Sequence, residues 1–317
     1  MVRQTEGMRV RSLVSLLLVL AAGAIAGCGD GDDATPAASA TTTAAAAAPK
    51  RPVTPALCRK LDDAVTGRVQ DRALNELSGL VQSRADPGLL WSHEDSGAGP
   101  QLWALTPDGR VLGGVTVTGA QAVDWEDIAT GPAPSGEGNV LYVADIGDNR
   151  AQRDSVTVYR IPEPSPGAGA SAPAEQMVLR YPDGPRDAET LLVDPRRGTL
   201  VIVSKEISGG RAYSVPRFTP GEATLRRGPE VAPVFATGGD VSADGRVVAV
   251  RGYTSLAVWR RRGGESIVAT LRRAPCTPPT SHFEGQGEAL ALNRTGTAAR
   301  TVAEGSPAVL RRYVPAR

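Results

Sequence analysis

The stretch VDWEDIATGPAPSGEGNVLYVADIGDN, Val123–Asn149, decides how this chain is read. Asp124, Glu126, Asp127 and Glu137 precede a short apolar run, and Asp145, Asp148 and Asn149 follow it. The order is an acidic strand start, a Gly/Pro-rich turn, an apolar strand and a polar exit. The same form recurs along the chain. Its starts are NELSGLVQS (Glu76), DWEDIATG (Glu126), DAETLLVDP (Glu189), GGDVSADG (Asp240) and GEALALNRTG (Glu288). The intervals are 50, 63, 51 and 48 residues, and the long one carries an insert, PEPSPGAGASAPA, Pro162–Ala174.

Each start is followed by a second strand: Leu89–Gly97, Val140–Asn149, Leu200–Glu206, Val247–Tyr253 and Ala299–Ser306. The third strands read QLWALTP, VTVYRIP, RAYSVPR, SLAVWRR and AVLRRYV. Four units add a fourth: Arg110–Val117, Glu175–Pro182, Ala223–Val231 and Ser266–Arg273. Pro-Asp-Gly at 107–109 and Ala-Asp-Gly at 243–245 supply hairpin turns. About fifty residues and four antiparallel strands per unit predict an all-β propeller. Five blades are counted, and six is the alternative if one unit is hidden.

The fifth unit stops after its third strand, at Val314. An unassigned strand, Asp63–Gln70, lies ahead of the first unit and is expected to supply the missing outer strand and close the ring, leaving no free edge. Closure brings Cys58 towards Cys276, at the start of the last blade. An exported chain pairs two such cysteines most simply as a disulfide.

Export is read from the N-terminus. Arg3, Arg9 and Arg11 precede an apolar run, Leu13–Gly27, too short for a membrane span and of the length of a signal h-region. It ends in Ile25-Ala26-Gly27-Cys28, which resembles the bacterial lipoprotein lipobox. Residues 1–27 are expected to be a signal peptide and Cys28 the lipidated N-terminus, placing the protein on the outer face of the cell membrane. Cleavage removes three Arg and one Glu, taking the net charge from +1 to −1. Lipid rather than net charge then holds the chain to the membrane. Residues 28–54 are low-complexity and read as a flexible linker, leaving 55–317 as one domain. That domain has no basic stripe interleaved with aromatics, so nucleic acid is not expected as a partner.

In a propeller the first strand of each blade lines the channel, and the second runs back to the same face. The starts and exits therefore converge at one mouth. Glu76, Glu126, Glu189, Asp240 and Glu288 form the expected acidic ring, a candidate calcium shell. At 4 Å and an effective dielectric near 20, two like charges repel by roughly 4 kcal/mol, so something must compensate. Either a divalent cation does, or the acids accept backbone N–H bonds and pair with Arg186, Lys205 or Arg251. His93, Asp145 and Asp148 are the candidate proton-transfer groups at that mouth, each with a structural alternative. No GxSxG, HExxH or GxxxxGK motif occurs.

ELSGL, WSHEDSG, DWEDIA, YVADIGDN and YRIPEP together resemble a group of exported bacterial propellers without a settled activity, over Asn75–Tyr313. These are distantly similar to calcium-dependent propellers of the phytase-like, lactonase/esterase and nucleotidase types. The resemblance implies a calcium in the channel held by acids from the blade starts. No Lys/Arg cluster suited to a polyphosphate accompanies the acids. Two functions follow as expectations. One is a binding module for an unassigned small molecule, glycan or protein. The other is a calcium-dependent hydrolase of an ester or phosphoester.

Overall fold

The computed structural model describes residues 54–317 apart from 72, 96, 137 and 280–283. The expected signal segment, Cys28 and the expected linker through residue 53 lie outside the described residues, as does His282.

Five sheets form five blades. The first is Leu77–Gln82, Leu90–Glu94, Gln101–Leu105 and Val111–Thr116; the second Trp125–Pro132, Asn139–Asp145, Val156–Pro162 and Glu175–Arg180. The third is Ala188–Val193, Leu200–Ser204, Gly210–Val215 and Arg226–Val231; the fourth Ala236–Val241, Val247–Gly252 and Leu256–Arg260. The fifth joins Gly287–Leu292, Ala299–Ala303 and Ala308–Pro315 to the N-terminal strand Leu61–Val69. That last pairing, antiparallel from Leu61↔Pro315 to Val69↔Ala308, is the expected closure. Each innermost strand packs on the next, and the fifth packs on the first, so the ring is complete.

Each blade is sandwiched between two neighbours, so its inner strands bury both faces. Ala188–Val193, Leu200–Ser204 and Gly287–Leu292 are buried at every position. This is why strict alternation is weak in the sequence and survives mainly outside, as in Glu175–Arg180. Five apolar clusters fill the five interfaces. Trp91 and Trp125 belong to the one between blades one and two, and Tyr142 and Tyr213 to the next. Burying each such side chain contributes on the order of 2 kcal/mol.

Cys58 and Cys276 form the expected disulfide, with Cα atoms 5.6 Å apart across 218 residues. In the chain-entropy account a loop of that length stabilises by up to about 5 kcal/mol.

Two outer elements differ from expectation. Ser266–Arg273 is not the fourth strand of blade four: Ile267–Leu271 is a short helix. Ser266 caps it, its Oγ accepting the Ala269 N–H at 3.1 Å. The segment at Cys276 bridges Val258 instead, through two backbone hydrogen bonds of 2.9 Å, and so occupies the outer position. The insert is not a loose loop. Gly169–Ala170 runs parallel to Val115–Thr116 and laces blade two to blade one, and Gly221–Thr224 extends blade two from blade three.

Candidate metal centre

Every blade carries a β-bulge near the start of its inner strand. The register shifts between Leu77 and Leu80, Trp125 and Asp127, Ala188 and Thr190, Ala236 and Gly238, and Gly287 and Ala289. A bulge leaves one residue unpaired and re-aims its side chain. The residues so placed are Glu126, Glu189 and Glu288 in three blades and Thr237 in the fourth. In the first blade Ser78 and Gly79 lie within the shift. The Ser78 hydroxyl donates to the Glu126 carbonyl at 2.9 Å, and the Thr237 hydroxyl to the Gly287 carbonyl at 2.8 Å. These two bonds tie blade to blade where the other blades present carboxylates.

Around Glu126 the carboxylates converge. Oxygens of Asp95, Asp124 and Glu126 lie within 4.8 Å of one another. Asp95 follows the second strand of blade one, and Asp124 precedes the inner strand of blade two. Gly147, in the DIGDN turn, makes the cluster sterically feasible. A Cβ there would sit 2.2 Å from Glu126 Oε1 and 2.4 Å from Asp124 Oδ2. The Gly147 N–H also donates to the Asp124 carbonyl at 3.1 Å, fixing the turn over the acids.

Two oxygens at this mouth are buried without a hydrogen-bond partner, Asp124 Oδ1 and Glu189 Oε2. The other Glu189 oxygen pairs with Lys205, whose ammonium also lies 5.2 Å from the Tyr253 ring centroid. The electrostatics follow. Burial pushes Asp124 up to about 6, with Asp95 and Asp187 adding to it. Burial, then Glu189 and Asp95, raises Glu126 well above the carboxylate range. Glu189 is pushed up to about 8 by burial despite Lys205, with Glu288 adding to the rise. Glu288 reaches about 7 through burial, against Lys205 and with Glu304. Burial would lower Lys205, but the Glu189 carboxylate outweighs it and holds the ammonium protonated. An all-carboxylate set with orphaned oxygens and a glycine-cleared floor suits a hard cation such as calcium.

The expected ring is thus redistributed. Glu126, Glu189 and Glu288 share the mouth. Glu76 is exposed, and its carbonyl accepts the Asp95 N–H at 2.9 Å. Blade one offers Asp95 to the cluster in its place. Asp240 lies further down the channel, in contact with the opposite end. Its carboxylate accepts the N–H of Val241 at 2.7 Å and of Leu292 in the next blade at 2.8 Å. Asp127 does the same, from Ile128 at 2.9 Å and from Leu191 in the next blade at 2.8 Å. The free inner edges of blades three and five are thereby satisfied by acids of blades two and four.

His93, Asp145 and Asp148 do not share a reaction centre. The His93 ring is fully buried against Gly79 and meets Trp125 edge-on at 5.7 Å. Its Nδ1 faces the Glu94 carbonyl at 2.9 Å, and burial lowers it to about 4, so it is neutral at neutral pH. Asp145 pairs with Arg153 at 2.8 Å and accepts the Asp124 N–H at 3.1 Å. Asp148 accepts the Arg153 N–H at 2.7 Å. Both hold the loop that carries Asp124 and Gly147. Sequence spacing brings Asp95 to the mouth but does not pair it with Asp124, because the two come from different blades. The only local signal was a glycine between two acids in DIGDN.

No protein-family model matches the chain, and no curated protein matches it. Solved structures similar to it are propellers at low identity. A gluconolactonase from Xanthomonas campestris is 13 % identical, with a TM-score of 0.48 over 81 % of this chain and 91 % of that one. The PQQ-bound aldose sugar dehydrogenase from Streptomyces coelicolor is 12 % identical, with a TM-score of 0.46 over 81 % and 98 %. The Dos1 propeller is 11 % identical, with a TM-score of 0.38 over 75 % and 68 %. At such distance the likeness concerns the fold alone.

Proposed function

We propose that this protein is a membrane-tethered extracytoplasmic propeller that binds a polar ligand at an acidic mouth organised by a divalent cation, calcium by its donor set. One observation carries the reading: Asp95, Asp124 and Glu126 converge within 4.8 Å beside buried carboxylate oxygens that have no donor. Asp95, Asp124 and Glu126 would hold the ion, with Glu189 beside them. The tether is the lipid on Cys28, supported by the Arg-flanked apolar run and the Ala26-Gly27-Cys28 junction. Binding is favoured over catalysis because Asp145 and Asp148 are held by Arg153 and His93 is fully buried away from solvent. Titration calorimetry of calcium into the EDTA-treated domain tests this: saturable binding to the wild type and none to Asp124→Asn/Glu126→Gln supports it. Heat changes that are alike in both refute it.

A hydrolase of esters or phosphoesters is the second reading, favoured by Lys205. It is a cation beside Glu189, of the kind that stabilises negative charge developing on an oxygen. A bound cation would supply polarisation of that oxygen. Calcium-dependent turnover on an ester and phosphoester panel, lost in Lys205→Met, would establish this reading over simple binding.

A further inference from the structure

The end of the channel opposite the acids is rich in arginine. Inner strands run from the acidic mouth to hairpins at this far end. Four of those five hairpins bear arginine: Arg84, the pair Arg196 and Arg197, Arg246, and Arg294. All but Arg84 are exposed. Asp86, in the Arg84 hairpin, is exposed, and Asp244 also faces the Arg246 side chain at 3.8 Å; other nearby acid groups are engaged. Asp194 is fully buried and paired with Arg261, and Asp244 caps its own turn through Ser242 and the Arg246 N–H.

A cavity of about 220 Å³ opens at the centre of this face, lined by Arg84, Arg294, Asn293 and Asp240. Arg84 holds the Thr130 carbonyl through Nη2 at 2.8 Å, but its Nε is buried without a partner. Both Asp240 oxygens are already taken by backbone N–H groups. Arg84 thus keeps one unpaired guanidinium donor beside this cavity, which Asp240 also lines.

Contacts join this centre to the place where the chain enters the domain. The Asp244 N–H donates to the Arg294 carbonyl at 3.2 Å, and Arg196 reaches the Asp244 carbonyl. Arg197 reaches the Gly264 carbonyl at 2.7 Å, beside exposed Arg262. Arg262 in turn lines a surface cleft with Thr54, Pro55 and Cys58, the first described residues. The chain N-terminal to Thr54 is the tether of the previous subsection. The basic face and Thr54, the first described residue, thus lie on the same side of the propeller.

We infer that this arginine-rich end docks on anionic lipid headgroups, so that the lipidated chain rests on the membrane with its acidic mouth turned outward. The inference rests on the tether proposed above for its biological setting. Charge complementarity supports the orientation from both ends. Arginines near an anionic surface are attracted, each by roughly fivefold in partition, while the acidic mouth is repelled. Lipid supplies the attachment; the arginines choose the side.

The test is co-sedimentation of residues 52–317, which contain the closed ring, all five apolar clusters and the disulfide, with vesicles. Because this domain lacks Cys28, binding reports on the face alone. We expect binding to phosphatidylglycerol vesicles, release by high salt, and no binding to phosphatidylcholine vesicles. Arg246→Glu/Arg262→Glu/Arg294→Glu changes side chains with few structural ties and should lower partition more than tenfold. Arg150→Glu/Arg180→Glu, at exposed positions on the side of the acidic mouth, should retain most of it. Absence of binding to phosphatidylglycerol, equal binding to both vesicles, or equal loss in both variants would overturn the inference. Mass analysis of Cys28 in the full chain separately tests the tether. A lipidated chain whose domain ignores anionic vesicles would leave the tether intact and remove only the docking face.

Discussion

Asp127 and Glu126 are adjacent, equally buried and opposite in consequence. Asp127 accepts two backbone N–H bonds, one from its own blade and one from the next. Asp240 repeats the arrangement two blades on. Glu126 instead faces Asp95 and Asp124, with orphaned carboxylate oxygens nearby on Asp124 and Glu189. The difference teaches that burial of a carboxylate does not make a site. Whether the fold supplies donors does. In the channel wall the backbone supplies them; at the mouth Asp124 Oδ1 and Glu189 Oε2 go without, and that unmet demand is what a cation would answer.

The largest expected effect falls on the wall. Asp127→Ala leaves the N–H groups of Ile128 and Leu191 unpaired in the core and should cost about 3 kcal/mol by denaturant unfolding, in EDTA and calcium alike. A smaller loss would mean that water replaces the carboxylate there.

Gly147→Ala sits at the boundary between the two regions. Its Cβ would intrude on the Glu126 and Asp124 oxygens, and overpacking of this kind costs about 1–3 kcal/mol. The calcium response should disappear with it. If calcium still binds, the cluster is less constrained than the DIGDN turn suggests.

Glu126→Gln should do the reverse of Asp127→Ala. It removes one charge from a crowded buried set, so in EDTA at pH 8 stability should rise by about 1 kcal/mol, while the gain from calcium is lost. Destabilisation in EDTA would show that Glu126 has a structural partner after all.

The pH dependence is the gentlest probe. Asp124, Glu288 and Glu189 are raised to about 6, 7 and 8 in the folded state, from ordinary values of 3.8, 4.5 and 4.5. Between about pH 4 and 8 the folded chain therefore holds more protons than the unfolded one, and stability in EDTA should fall as pH rises through that window. Calcium competes for the same oxygens, so it should flatten the slope. A melting temperature rising with pH in EDTA would reverse the sign and contradict the assignment.

Much of the architecture was legible because it is periodic. Five acidic starts, the orphan strand Asp63–Gln70 and the Cys58–Cys276 staple are facts of spacing, and the closed ring follows from them. The acids were legible only as a population. Which of them reaches the mouth is decided by a bulge that shifts parity by one residue, and bulges leave no spacing signature. Thus Thr237, not Asp240, occupies in blade four the position of Glu126. Ser78, not Glu76, lies within the corresponding shift of blade one. The helix at Ile267–Leu271 was missed because five apolar-rich residues carry no distinguishing period, and only the Ser266 cap separates helix from strand.

The central claim is most directly tested by thermal unfolding of residues 52–317 at pH 8, in EDTA and then in calcium, for the wild type and Glu126→Gln. A ligand at a hundred times its Kd stabilises the folded state by about 2.7 kcal/mol. The account predicts a corresponding rise in Tm for the wild type and none for Glu126→Gln. An unchanged wild-type Tm, or an equal rise in both proteins, would contradict it and return the acidic mouth to a structural role.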